Sequence, residues 1–77
     1  MLTTHTHVKD AGFEDWRAER IIISSPVYGP KRGFQTLGDL AVFWKQRGGR
    51  EGFINLKEIS VSTINEIEKT LRLANLI

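Results

Sequence analysis

The 77-residue sequence predicts a small α+β domain, with two or three short strands packed against two or three helices. Three observations carry that expectation. Ile21-Ile22-Ile23 is a run of β-branched residues, whose restricted χ1 favours a pleated, buried strand. Leu37, Leu40, Ala41 and Trp44 recur at i, i+3, i+4 and i+7, one stripe of a helix. Thr63 and Glu66 have the spacing of a capping box, and Ile64, Ile67, Leu71 and Ala74 follow on one helical face.

Along the chain, Leu2, Thr4, Thr6 and Val8 alternate with Thr3, His5 and His7, the period of an edge strand, although residues 1–9 are equally readable as a frayed terminus. Asp10 to Arg20 predicts a short helix, with Phe13 and Trp16 three apart, acids in the first turn, and Gly12 weakening it. The isoleucine strand follows, with Val27 and Tyr28 as a continuation bent by Pro26. Gly29 to Gly33 is loop by composition. Thr36 opens the central helix with Asp39 three residues on, Lys45 and Arg47 suit its last turn, and Gly48-Gly49 provides a left-handed stop. Ile54, Leu56, Ile59 and Val61 between Gly52 and Val61 fit a strand better than a short helix opening at Asn55. The final helix is expected from Thr63 to Ile77.

Length and composition limit what the protein can be. A chain of this size makes one domain, and it buries only about 60% of the surface that its unfolded form exposes. With no Cys there is no disulfide framework and no thiolate metal site. At 40% apolar and 26% charged it has the balance of a folded domain. No apolar run reaches the roughly 18 residues of a membrane span, and Met1 to His7 has neither the basic nor the apolar region of a secretory signal, so a cytoplasmic location is expected.

The net charge of +2 is unevenly spread. Residues 30–50 hold Lys31, Arg32, Lys45, Arg47 and Arg50 against Asp39 alone, while the flanks carry a small acidic excess. A basic middle concentrates the field where a polyanion would read it. On an ideal helix the two basic clusters stand about 16 Å apart, at opposite ends.

Enzymatic chemistry is not expected. His5 and His7 have the spacing of a metal-binding pair on a strand, but no third ligand accompanies them. No serine sits in a nucleophile elbow, and neither a P-loop nor a dinucleotide fingerprint occurs. No cofactor is implied. A helix-turn-helix meets the objection that some fifteen residues separate the second and third predicted helices, where that motif uses three or four.

The expectation is therefore a non-catalytic, nucleic-acid-associated regulatory or accessory protein, contacting nucleic acid or another polyanion through Lys31, Arg32, Lys45, Arg47 and Arg50. The alternative is a protein–protein interaction module, an adaptor or inhibitor acting through an exposed apolar face and the last helix. Phe43 and Trp44 are adjacent and are not expected to face one core together, and Val42, Phe43, Leu73, Leu76 and Ile77 are the residues expected at a contact, including self-association to a homo-oligomer such as a dimer.

Overall fold

The α+β expectation is overturned. The computed structural model describes residues 1–27 and 32–77, and among them there is no strand or sheet. A 3-10 turn at Val8–Asp10 precedes four helices: α1 (Trp16–Ser24), α2 (Leu37–Gln46), α3 (Arg50–Ile54) and α4 (Val61–Leu73).

Ile21-Ile22-Ile23 forms the C-terminal half of α1. The strand preference of β-branched residues over helix is worth a few tenths of a kcal/mol each, and local anchoring exceeds it. Asp15 caps α1 by accepting from the Arg17 N–H at 2.9 Å. Ala18 and Ile22, four apart, turn into the core. The helix expected over Asp10–Arg20 is displaced toward the C-terminus, because Gly12 (φ 80°) breaks the chain before it. Phe13 is buried ahead of α1, whereas Trp16 begins it on the outer face.

With the isoleucines helical, no other segment has a strand to pair with. The predicted strand over Gly52–Val61 becomes α3 and the connection to α4, in which Ile59 is buried and Leu56 half-buried. Gly52 lets α3 close against the end of α2, because a Cβ there would lie 2.4 Å from the Arg47 Cβ.

The N-terminal segment forms no strand. Its one ladder contact is an isolated antiparallel bridge between His7 and Thr36. It supplies the first N–H groups of α2 with acceptors: Leu37 N–H donates to the Thr6 carbonyl and Gly38 N–H to the Thr4 carbonyl, both at 3.0 Å. Asp39 N–H donates to Thr36 Oγ1 at 3.2 Å, and the Asp39 carboxylate accepts in return from the Thr36 N–H, so the Thr36–Asp39 spacing forms a capping box. Thr63 and Glu66 do not make the second one. Ser60 caps α4, with Thr63 inside the first turn.

At its other end α4 stops at Leu73 rather than continuing to Ile77. Asn75 adopts φ 58°, Asn75 N–H donates to Arg72 O and Leu76 N–H to Leu71 O, the paired bonds of a Schellman turn. The chain thus folds back, and Leu76 and Ile77 pack against the core.

That core joins all four helices. Phe34, Leu37, Leu40, Phe53, Ile67 and Leu71 are fully buried in it. Phe34 meets Phe43 edge-on at 5.2 Å between ring centroids, and Phe53 lies 4.8 Å from Phe43 and 6.0 Å from Trp44. Phe43 and Trp44 therefore share one aromatic cluster, contrary to expectation, because Phe53 enters between them from α3. Among the described residues no helix is long and apolar enough to cross a membrane.

Candidate nucleic-acid interface

The basic residues singled out from the sequence have different surroundings. Lys31 lies outside the described residues. Arg50 is taken up internally, its Nη1 donating to the Glu68 carboxylate at 2.7 Å. Glu68 also accepts from Arg72, at 3.0 and 3.2 Å, and these two guanidinium groups, Arg50 first, hold its carboxyl below the ordinary value of 4.5. Lys45 and Arg47 are exposed and make no ion pair with a described residue. The Arg47 guanidinium rests 5.7 Å from the centre of the Phe43 ring.

Arg32, just ahead of α2, is exposed. The adjacent Gly33 lies against the Ile22 and Ile23 carbonyls, and Phe34 packs on Phe43, one turn before Arg47.

The structure adds a cluster that the sequence did not single out. Trp16, at the start of α1, is 60% exposed, an unusual position for the largest apolar side chain. The guanidinium groups of Arg17 and Arg20 lie 5.9 and 5.7 Å from its ring centre. Neither arginine is paired with a carboxylate among the described residues. Because Phe13 and Trp16 are three apart, the sequence suggested one buried face for both. The signal against this was available in Arg17 and Arg20, which place cations beside the indole.

The start of α1 is fixed to α4. Glu66 Oε1 accepts from the Glu14 N–H at 2.7 Å and from the Asp15 N–H at 3.3 Å. Lys69 donates to the Glu14 carboxylate at 2.9 Å, which raises the lysine above its ordinary value of 10.5. Glu66 is thus committed to α1 instead of capping its own helix. One turn before it, Ser62 is exposed, and the first turn of α4 contains no acid.

The residues expected at an apolar contact are also divided. Val42 and Leu73 are exposed, Leu76 and Ile77 are half-buried, and Phe43 is buried within the chain. Leu73 borders a shallow, open depression of about 450 Å³ with Asn65, Glu68, Lys69 and Arg72. Among the described residues no three His, Asp or Glu side chains form a metal-sized group around His5 and His7. His7 Nδ1 instead accepts from the Lys9 N–H at 3.1 Å, capping the 3-10 turn.

No family model matches the chain, nor does any curated protein or solved structure.

Proposed function

We propose that the protein is a non-catalytic nucleic-acid-binding module with a regulatory or accessory role, engaging its partner with Trp16, Arg17 and Arg20 and with the cations at the end of α2. The exposed Trp16 indole, accompanied by two guanidinium groups without internal counter-charge among the described residues, is the observation that carries this. An indole face offers a stacking surface to a base or sugar, and arginine neutralises the adjoining phosphates. Lys45 and Arg47 provide further positive charge unpaired among the described residues. Arg50 has a structural part in this proposal, since Glu68 neutralises it. A cytoplasmic setting belongs to the same proposal.

Binding of short single-stranded and duplex oligonucleotides across a salt series tests it. Affinity falls steeply with salt, and Trp16→Ala and Arg17→Ala each weaken it about tenfold, the equivalent of roughly 1–2 kcal/mol for a stacking or charged contact. Lys45→Ala with Arg47→Ala lowers the salt slope by about one for each phosphate that is no longer neutralised. Absence of any complex at low salt rejects the proposal.

A second reading, a protein-interaction module or self-associating chain, is favoured by Leu73, which is 68% exposed on α4. It predicts a partner or dimer contact that survives high salt and is abolished in Leu73→Glu.

A further inference from the structure

Two adjoining hollows lie between the chain leaving α1 and the connection from α3 to α4. The first, about 420 Å³, has Val27, Phe43 and Leu56 as apolar wall, with Gly52 at its edge; Arg47 is its one charged lining residue and Asn55 its one amide side chain among the described residues. The second, about 300 Å³, shares Pro26, Val27, Asn55 and Leu56 with it, and adds Ser25, Lys57 and Glu58. An apolar wall with a few convergent polar groups is the usual construction of a small-molecule site.

One polar group here is buried without a partner among the described residues. Ser25 is 1% exposed, and its hydroxyl makes no hydrogen bond among the described residues. Buried hydroxyls are nearly always satisfied, so this one stands out. The Arg47 guanidinium and the Asn55 side-chain amide likewise have no hydrogen-bond partner among the described residues. Arg47 is restrained beside the Phe43 ring at 5.7 Å, so its donors need little ordering on binding. The close approach at Gly52, where a Cβ would strike Arg47, fixes the backbone that carries this arginine.

We propose that these hollows bind a small amphiphilic organic anion, a carboxylate or phosphate monoester on a short apolar body. Its head group takes hydrogen bonds from the Arg47 guanidinium and the Asn55 amide. Its body covers Val27 and Leu56 and extends from the first hollow into the second. Glu58, which lines the second hollow with Lys57, disfavours a second negative charge there. Arg47 is shared with the proposed nucleic-acid surface at the end of α2, whereas Val27, Asn55 and Leu56 are not part of it, so the anion site stands whether or not nucleic acid binds.

The test is a backbone-amide NMR titration of the full chain with hexanoate, hexyl phosphate and the neutral control hexanamide. One or both anions produce saturable shifts at Ser25, Val27, Asn55 and Leu56, and the preferred anion identifies the head group. Hexanamide binds at least tenfold more weakly. Arg47→Gln weakens the anion at least tenfold with an unchanged helical spectrum, whereas Trp16→Ala leaves it unaffected. Ser25→Ala leaves the affinity for these probes within about twofold, because their far ends are methyl groups, and does not lower the thermal midpoint, since it removes an unpartnered hydroxyl. Equal binding of hexanamide, non-saturating shifts, shifts scattered over surface lysines, or an unaltered affinity in Arg47→Gln each overturns the proposal.

Discussion

Gly52→Ala separates helix propensity from tertiary packing, because the two predict opposite signs. Gly52 lies inside α3, where replacing glycine by alanine ordinarily stabilises by about 1 kcal/mol. In this structure an added Cβ would sit 2.4 Å from the Arg47 Cβ and 2.9 Å from the Arg47 carbonyl oxygen. Carbon–carbon contacts are optimal at about 3.5–4.0 Å, so α3 must withdraw from α2 by more than about 1 Å. That movement pulls on Phe53, which is fully buried against Phe34 and Phe43 at ring separations of 5.6 and 4.8 Å. Overpacking of a tight core costs about 1–3 kcal/mol, and a clash with backbone belongs at the upper end. Subtracting the propensity gain leaves a net loss of about 2 kcal/mol, or a fall in Tm of roughly 8–16 °C for a domain of this size. Thermal and urea unfolding followed by circular dichroism measure it. Gly48→Ala is the control: nothing lies within 4 Å of its Cβ, and it bears only the cost of φ 82°, about 1–2 kcal/mol. A Tm for Gly52→Ala equal to or above that of the parent would refute the close α2–α3 approach.

Three further outcomes follow from the α4 contacts. Ser60→Ala removes the observed cap of α4 and costs about 1 kcal/mol in urea unfolding. Glu66→Ala deprives the Glu14 and Asp15 N–H groups of their acceptor; it costs about 1–2 kcal/mol and speeds hydrogen exchange at those two amides, whereas a cap role would speed it at the start of α4. The Glu68 carboxyl titrates below its ordinary 4.5 because Arg50 and Arg72 donate to it, so its folded value lies below its unfolded one. The resulting stabilisation is complete above the unfolded value and disappears as pH falls through the lower folded value. Urea midpoints measured between about pH 6 and about pH 3 will show this acid loss in the parent and a shallower one in Glu68→Gln.

The parts of the fold legible in the sequence are those decided by neighbouring residues. Thr36 with Asp39 specifies the start of α2, the Gly48-Gly49 pair specifies its end, and both form as expected, with φ of 82° and 74° at the glycines. The Leu37, Leu40 and Ala41 stripe is likewise buried. What was not legible depends on contacts between distant segments. The isoleucine run is intrinsically suited to a strand, and only Asp15 capping, Glu66 reaching across from α4, and the fit of Ala18 and Ile22 to the core make it helical. The same long-range bond takes Glu66 away from the capping box that its spacing with Thr63 suggested. The effect propagates, since one missing strand leaves every other candidate strand unpaired.

The candidate interface divides in the same way, with a consequence for function. Clustered cations in the sequence carry no information about which of them will be neutralised. Arg50 and Lys45 are equivalent by position, yet Arg50 is spent on Glu68 because α3 packs along α4, while Lys45 remains exposed without a described counter-charge. Conversely, Trp16 has the spacing of a core residue and becomes exposed because α1, capped by Asp15, presents Ala18 and Ile22 inward. Holding an exposed indole costs the burial that it forgoes, about 1.5–3 kcal/mol for a large apolar side chain. In a domain whose total stability is of the order of 5 kcal/mol, that is a large fraction. Replacing Trp16 by a small polar residue should therefore change the thermal midpoint little while weakening the proposed binding tenfold. A large loss of stability with unchanged nucleic-acid affinity would make Trp16 a packing residue and leave the end of α2 as the remaining candidate.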